Sequence, residues 1–239
     1  MRFNGIHYTE VNPNIKAVTL ENTSQPISPS FTTRTLTRSG ADGAVFYGKN
    51  RQAKDITVGL VCAVTSMAER SSLMRDIAGW LDVEEPKPLI LDSEPDKQDM
   101  VVLTSEIVPS KQTAYLMTLR ATFTNYSGYS ENVDDTVVTT TPHALEGTAE
   151  SDFKAHITLN ENAGSCVFRI DGKELILNEG LLVGDVVTFD SKLRRAEVNG
   201  IAFPVSVNTE WFKLPQGEFD IELEPLTSTF EIEYKARWK

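Results

Sequence analysis

The chain has 239 residues, and its composition of 40% hydrophobic and 24% charged residues is that of a globular protein. Its 23 basic and 34 acidic residues give a net charge of −11, which argues against a surface that binds nucleic acid or an anionic membrane. The longest apolar run, residues 58–64, is far shorter than the roughly 20 residues of a membrane helix, and residues 1–10 lack the basic and apolar regions of a signal peptide.

Residues 1–130 predict an N-terminal α+β domain that is mainly β, with a sandwich-like or barrel-like sheet. Strand-like segments occur at residues 15–20, 56–64, 89–91, 100–108 and 115–123. Between the first two lies a long polar stretch, residues 32–54, which contains three glycines. Connections of this length inside a compact domain usually have a function, and an ordinary surface loop is the alternative.

One helix is predicted at about residues 66–81. Ser66 followed by Glu69 is the capping box with which many helices begin. An apolar stripe at helical spacing follows it, formed by Leu73, Ile77 and Leu81. The rest of this domain is predicted to be strands and turns.

Residues 131–145 are predicted to be a linker, since they combine three acidic residues with a run of threonines before Pro142. Residues 146–239 then predict an antiparallel β-sandwich. Its short alternating segments are separated by turn signals at Asp171-Gly172, Gly184-Asp185, Asn199-Gly200 and residues 215–217. Asn199-Gly200 predicts a two-residue type I′ turn, because both central residues of that turn need positive φ.

The last predicted strand alternates most regularly. Its even positions carry Phe230, Ile232, Tyr234 and Trp238, while charged residues fill the odd positions. Side chains of a strand point alternately to opposite faces, so the even positions are expected to face the core.

The sequence contains no catalytic or metal-binding constellation, so no catalytic, cofactor-binding or metal residue is predicted. His7, His143 and His156 are too widely spaced for a zinc motif. The acidic segment 92–96 lacks the glycine and the glutamate that a calcium loop needs. Cys62 and Cys166 lie in apolar, strand-like runs and are expected to be buried thiols without a disulfide.

Two other functions stay open on the residues alone. Glu84-Glu85, or Glu222 with Glu224, could act as paired carboxylates in a hydrolase, although solvated surface positions explain them more simply. Trp211, Phe212 and Trp238 could stack against sugars in a carbohydrate-binding module, although rings in a sandwich usually point inward.

Four segments of the second half resemble the C-terminal domain of siphophage distal tail proteins. They are GDVVTFD at residues 184–190, RAEVNG at 195–200, WFKLPQG at 211–217 and YKARW at 234–238. The first half resembles the same family in the order of its features, which are RSGADG at residues 38–43, a strand, a helix ending in WL at 80–81, PLIL at 88–91 and PDK at 95–97. Gln98-Asp99 stands where the resemblance implies an aromatic pair.

The resemblance implies a structural component of a phage or prophage tail, with neither enzymatic activity nor a cofactor. By this likeness the N-terminal domain forms a homo-hexameric ring at the distal end of the tail tube. Segment 32–54 would be an extended arm or hairpin that crosses to a neighbouring subunit. The C-terminal domain would be a galectin-like or jelly-roll sandwich that projects outward as a docking platform.

The same resemblance implies the partners and the location. The partners would be further copies of the chain, the major tail tube protein, the tail-tip or tail-associated protein and, in some members, a receptor-binding protein. Sequence-specific nucleic acid binding and membrane insertion are not implied. The protein would reside in the virion, at the tail tip or baseplate, after assembly in the bacterial host cytoplasm.

The net charge adds one expectation about such a ring. If DNA leaves through the ring, an acidic or neutral lumen would let the duplex slide without phosphate contacts. The alternative is that the acidic residues only keep the sandwich soluble. A basic lumen would instead be built from residues such as Arg34, Arg38, Lys49 and Arg51.

Overall fold

The computed structural model describes residues 1–20, 29–40, 42–113 and 115–239, and of residues 110–112 the backbone alone. The chain forms two compact units, Met1–Ser130 and Glu131–Trp238, which we call unit 1 and unit 2. As predicted, the fold is mainly β with one long helix.

Unit 1 contains both strands and helices. They are β1 Arg2–Phe3, β2 Ile6–His7, α1 Tyr8–Val11, β3 Ile15–Leu20, β4 Phe31–Leu36, β5 Val45–Arg51, β6 Lys54–Ala63, α2 Met67–Leu81, β7 Lys87–Leu91, β8 Glu94–Leu103, β9 Val108–Gln112 and β10 Leu116–Asn125.

The main sheet of unit 1 has the strand order β2-β1-β7-β8-β10-β6-β3, with antiparallel neighbours, and β9 also pairs with β10. Its centre is the long ladder between β6 and β10, in which Lys54 pairs with Asn125 and Ala63 with Leu116. Alternate residues of β10 are buried from Met117 to Phe123, as expected for a strand with one face on the core, whereas Ile56–Leu60 of β6 are all buried. The sheet is an open half-barrel around that core.

Helix α2 packs against the same core. Its buried residues are Leu73, Ile77, Trp80 and Leu81. The Trp80 indole N–H donates to the Phe3 carbonyl over 3.1 Å, and the Phe3 ring lies 6.2 Å from the Trp80 ring and 5.3 Å from the Phe123 ring. Within the described ranges, neither helix combines the length and the apolar content that crossing a membrane requires.

The predicted capping box forms at the start of α2. The Glu69 amide donates to Ser66 Oγ over 3.2 Å, and the Glu69 carboxylate accepts from the Thr65 amide over 2.8 Å. Hydrogen bonds from the Thr65 amide and hydroxyl hold the pKa of Glu69 below its usual value. Local sequence alone therefore predicts where this helix begins.

The polar stretch 32–54 is not a loop. Most of it forms an antiparallel hairpin in which β4 and β5 pair with each other. Strand β4 contains three threonines and β5 contains Val45, Phe46 and Tyr47, and these residue types favour extended backbone. In the described part of the chain, no third strand joins this hairpin.

The strand predicted at residues 100–108 is wrong in its bounds. Strand β8 begins at Glu94, because Asp92 and Ser93 form a two-residue turn that pairs Leu91 with Glu94. Pairing with β7 therefore takes up most of the acidic segment 92–96, whose later residues lie in a strand and not in an ion-binding loop.

Unit 2 is built from short strands. They are β11 Ser130–Asn132, β12 Thr136–Val138, β13 His143–Ala144, β14 Phe153–Thr158, β15 Cys166–Ile170, β16 Lys173–Leu177, β17 Val186–Asp190, β18 Arg195–Val198, β19 Ile201–Phe203, β20 Glu218–Phe219, β21 Ile221–Glu224, β22 Thr229–Tyr234 and β23 Arg237–Trp238.

These strands form a sandwich. The larger sheet has the order β12-β22-β14-β17-β18-β19, and the smaller has the order β16-β15-β21, while β13 pairs with β20 and β11 with β23. Both sheets contribute buried side chains to one core, among them Ile157, Phe189 and Ile232 from the larger and Phe168 and Leu177 from the smaller. The antiparallel sandwich is confirmed, and its galectin-like character stays a prediction.

Residues 131–145 are not a free linker, contrary to the sequence-based expectation. Strand β12 lies within them and pairs with β22, joining Thr136 to Tyr234 and Val138 to Ile232. Val138 is buried in the core of unit 2. The physical reason is that β22 would otherwise be an open edge, which a short β-branched segment can cover.

The predicted turn at Asn199-Gly200 is confirmed. Val198 pairs with Ile201 across it, and φ is +49° at Asn199 and +81° at Gly200. Positive φ at both central residues is the conformation of a type I′ turn.

Removing β12 should destabilise unit 2. We expect fragment 136–239 to melt cooperatively and at a higher temperature than fragment 139–239, which lacks β12 but keeps β13 and the buried Leu145. Burying a valine side chain contributes about 1.5–3 kcal/mol, and each kcal/mol shifts the melting temperature of a domain this small by about 4–8 °C. Circular dichroism melts of both fragments measure the difference. Equal melting temperatures would show that β12 does not stabilise the sandwich.

A β-branched residue at Gly200 should destabilise the chain through its backbone alone. No atom lies within 4 Å of the position that a Cβ would take there, so Gly200→Val meets only the strain of positive φ, about 1–2 kcal/mol. Urea denaturation measures this loss. Gly180→Val is the matched control, because its Cβ also has open space but φ lies outside the positive range. An equal effect of both substitutions would contradict the prediction.

Candidate functional site: an exposed hairpin and its anchor

The hairpin of β4 and β5 exposes apolar side chains. All residues of β4 are exposed, and in β5 only Gly48 and Arg51 are half-buried. The exposed apolar and aromatic residues are Phe31 at 38%, Leu36 at 48%, Val45 at 43%, Phe46 at 60% and Tyr47 at 62%. Clustered exposure of this kind marks an interaction surface, because it has no benefit for an isolated chain.

The pairing register assigns these side chains to two faces. Phe31 pairs with Arg51, Thr33 with Lys49 and Thr35 with Phe46, and these six residues share one face. The Lys49 ammonium lies 4.2 Å from the centre of the Phe31 ring. The opposite face holds the pair of Leu36 with Val45 and, further along, Arg34. Each face therefore combines apolar surface with positive charge.

A bulge interrupts the hairpin. Arg34 pairs with Gly48 but the next residue, Thr35, pairs with Phe46, so that Tyr47 is left without a partner on β4. Gly48 has φ of +132°, a backbone conformation that L-residues with a side chain rarely adopt. Bulges increase the twist of a ribbon and redirect a side chain, and here the redirected side chain is the exposed Tyr47.

Arg51 anchors the base of the hairpin to unit 1. Its guanidinium donates to the Gly128 carbonyl over 3.1 Å and lies 4.4 Å from the Tyr129 ring and 5.3 Å from the Phe31 ring. A Cβ on Gly128 would lie 2.8 Å from the Gln52 carbonyl oxygen. Only glycine therefore lets residues 128–129 approach the hairpin this closely.

A buried amide holds residues 127–129 in position. Asn125, at the end of β10, is fully buried. Its Oδ1 accepts from the Ser127 amide over 3.0 Å and the Gly128 amide over 3.2 Å, and its Nδ2 donates to the Tyr129 carbonyl over 2.8 Å. One side chain thereby fixes the backbone that Arg51 contacts.

Asp99 completes this network. Its Oδ1 accepts from Asn125 Nδ2 and from Ser130 Oγ, each over 2.9 Å, and lies 3.9 Å from the Lys54 ammonium. The residue is 7% exposed. A buried carboxylate with this many donors is well compensated. Asp99 belongs to the Gln98-Asp99 pair where an aromatic pair was expected, so polar contacts replace ring packing at this point.

Two family models match the chain, one within each of the two units. The model of the Phage tail protein RIFT-related domain matches residues 13–124. The model of the Siphovirus-type tail component, C-terminal domain, matches residues 146–238. The chain belongs to the siphophage distal tail protein family. The resemblance noted in the sequence is thus confirmed, and the protein is a structural component of the phage tail.

Among solved structures, this distal tail protein is similar to SPP1 Dit, described as a paradigm of the hub adsorption apparatus in phages that infect Gram-positive bacteria. The two are 14% identical, the alignment covers 99% of this chain and 98% of that chain, and the TM-score is 0.82. At this identity the likeness establishes a shared fold.

Two structures of the phage P2 baseplate in its activated conformation also match. The one with Ca is 10% identical, with 92% of this chain and 90% of that chain covered and a TM-score of 0.45. The one with Sr is 10% identical, with 90% of each chain covered and a TM-score of 0.42. No curated protein matches the chain.

The tryptophans of the distal tail protein do not favour a carbohydrate-binding module. Phe212 is buried in the core of unit 2, and Trp211 packs against that core. Trp238 is half-buried, and its indole N–H donates to Asn132 Oδ1 over 2.8 Å. None of the three is a fully exposed ring on which a sugar could stack.

Neither carboxylate pair considered for a hydrolase lies in a cleft, and Glu84 and Glu85 are both exposed. Glu222 and Glu224 lie on an open sheet face, where Arg169 contacts them at 3.0 and 3.4 Å and also contacts Glu174 at 2.6 Å. Hydrogen bonds with Glu174 and Glu222 raise the pKa of Arg169. A general acid needs an apolar cleft that keeps it protonated, and this solvated cluster lacks one.

The remaining candidates are the two cysteines. Cys62 and Cys166 are buried thiols in different units, and burial raises the pKa of Cys62 to about 11 and that of Cys166 to about 12. Both are consequently poor nucleophiles. Over the residues that the structure covers, no group of three or more His, Cys, Asp or Glu side chains is placed to hold a metal ion.

Truncating the buried amide should loosen the anchor. We expect Asn125→Ala to lower the free energy of unfolding by about 2–3 kcal/mol, because it leaves buried amide and carboxylate groups without partners. Chemical denaturation of the full chain measures the loss. Tyr126→Ala is the control, since its side chain lies in the same turn, is 67% exposed and makes no hydrogen bond in the network, so its loss should cost well under half as much. A loss of equal size would show that Asn125 is not the centre of the network.

Proposed function

We propose that this distal tail protein forms a closed, hexameric ring through unit 1, with the β4–β5 hairpin of each copy lying against the next copy. The observation that carries this proposal is the apolar and basic surface of the hairpin, which no described element of its own chain covers. Contacts between unlike surfaces of identical subunits either close into a ring or continue as a filament. The number of six comes from the family resemblance.

The ring would connect the tail tube to the tail tip. We propose the major tail tube protein and a tail-tip or tail-associated protein as its partners, in the distal region of the virion tail. SPP1 Dit, whose fold the chain shares, is described as a hub of an adsorption apparatus, and this description supports a connecting role. Assembly in the host cytoplasm belongs to the same proposal.

The two units differ in net charge, which supports different roles for them. Residues 1–130 carry 13 basic and 14 acidic residues, a net charge of −1, whereas residues 131–239 carry 10 and 20, a net charge of −10. The acidity therefore lies outside the unit proposed to form the ring. This favours the view that acidic residues keep the sandwich soluble, over the view that they line a DNA conduit.

Polar residues on the hairpin should weaken the ring. We expect Phe46→Ser/Tyr47→Ser to shift the full chain toward monomer by at least about tenfold in the dissociation constant, because each large apolar contact contributes more than about 1 kcal/mol. Light scattering over a dilution series, with and without the tail-tip partner, measures the assembly state.

The matched control is Val207→Ser/Leu226→Ser. These residues are 99% and 87% exposed and lie in unit 2, so their loss should leave assembly unchanged. A chain that stays monomeric at every concentration, even with the partner present, would contradict the ring. Equal weakening by both double variants would contradict the role of the hairpin.

A further inference from the structure

Unit 2 contains a groove of about 460 Å³ that is rich in cations. Lys173, Lys192, Arg194 and Lys213 line it, together with Trp211. Its volume lies within the range of about 300–1,000 Å³ that is common for ligand sites. It is distinct from the hairpin and from the sheet face around Arg169.

The groove concentrates basic residues in a unit that is acidic overall. Residues 131–239 have 10 basic residues against 20 acidic ones, yet four of the basic residues line this one groove. A uniformly solvated acidic surface would distribute them among the carboxylates. Since Glu150 and Asp152 also line it, the groove has four cations against two carboxylates, and this local excess of positive charge on an acidic unit favours an anionic partner.

Most of this positive charge is not neutralised within the chain. Across the residues that the structure covers, Lys173, Lys192 and Arg194 have no carboxylate within ion-pair distance. Lys213 does pair with Asp152, at 3.2 Å. Arg237 also binds Asp152, at 2.8 Å, so that carboxylate is already shared between two cations.

Arg194 is held in an unusual backbone conformation. It has φ of +52°, and the other residues besides glycine with positive φ in the described ranges are Asn4, Asp171 and Asn199. Asparagine and aspartate adopt this region readily, whereas a long side chain does so at a cost. Backbone strain of this kind is retained chiefly where a side chain has a function.

Two hydrogen bonds hold in place the turn that carries Lys192 and Arg194. The Leu193 amide donates to Asp190 Oδ1 over 2.9 Å. Ser191 Oγ accepts from the Phe153 amide over 2.7 Å. The two cations therefore project from a fixed turn at the edge of the groove, and a partner would not have to order that turn on binding.

We propose that this groove binds an acidic peptide segment of a partner protein. Lysine and arginine clusters recognise acidic motifs, and the half-buried Trp211 offers a rigid apolar surface beside them. Glu150 and Asp152 also line the groove. These two carboxylates would repel a polymer that carries a charge on every unit, and they tolerate a peptide whose acidic residues alternate with neutral ones.

This proposal does not depend on the ring. The groove belongs to unit 2 alone, and a monomer presents it fully. Binding can therefore be measured on a chain that does not assemble, and failure of one proposal leaves the other testable.

The test is fluorescence anisotropy with a labelled peptide of alternating glutamate and glycine, using the full chain at low and at moderate salt. We expect salt-sensitive binding that weakens about tenfold in Lys192→Gln/Arg194→Gln, since two charge contacts are removed. The control, Lys16→Gln/Arg75→Gln, removes the same charge from two exposed residues of unit 1 that do not line the groove. It should change the dissociation constant by less than about twofold.

Three results would overturn the proposal. The first is absence of binding at low salt. The second is equal weakening by both double variants, which would mean that the peptide responds only to net charge. The third is tighter binding of poly(glycerol phosphate) than of the peptide, lost in Lys192→Gln/Arg194→Gln, which would make the groove a site for a phosphate polymer.

Discussion

The position of the hairpin depends on one buried amide. Asn125 ends the central strand β10 and satisfies the turn that follows, and that turn supplies the carbonyl and the ring which Arg51 contacts. Because Asp99 and Lys54 join the same network, the sheet and the hairpin share one set of hydrogen bonds. These hydrogen bonds thus hold the β4–β5 hairpin in a fixed position on the core of unit 1.

The two units divide apolar contact and charge between them. Unit 1 is nearly neutral and exposes an apolar hairpin, while unit 2 is strongly acidic and concentrates cations in one groove. Apolar surface suits permanent contact between identical copies, because it gains from burial at any salt concentration. Charge complementarity suits recognition of a different partner, because it speeds encounter and rejects the wrong one.

Local signals predicted local structure, and distant contacts decided the rest. The capping box at Ser66 and the turn at Asn199-Gly200 are readable because a few neighbouring residues specify them. The strand at Thr136–Val138 was missed, since only its partner β22, almost a hundred residues later, makes it a strand. The network of Lys54, Asp99 and Asn125 was missed for the same reason. The arm or hairpin at residues 32–54 was predicted from the family resemblance, and hydrophobic periodicity did not indicate it.

The bulge at Tyr47 also affects the edges of the hairpin. Within the described residues, β4 and β5 form a ribbon of two strands, whose outer edges offer free amide and carbonyl groups to any extended chain. Flat edges of that kind seed indiscriminate sheet growth. A bulge twists the ribbon, and each strand carries a cation, Arg34 on β4 and Lys49 on β5, which disfavours edge-to-edge pairing. The bulge and the charges therefore protect the exposed edges of the hairpin against unspecific strand pairing.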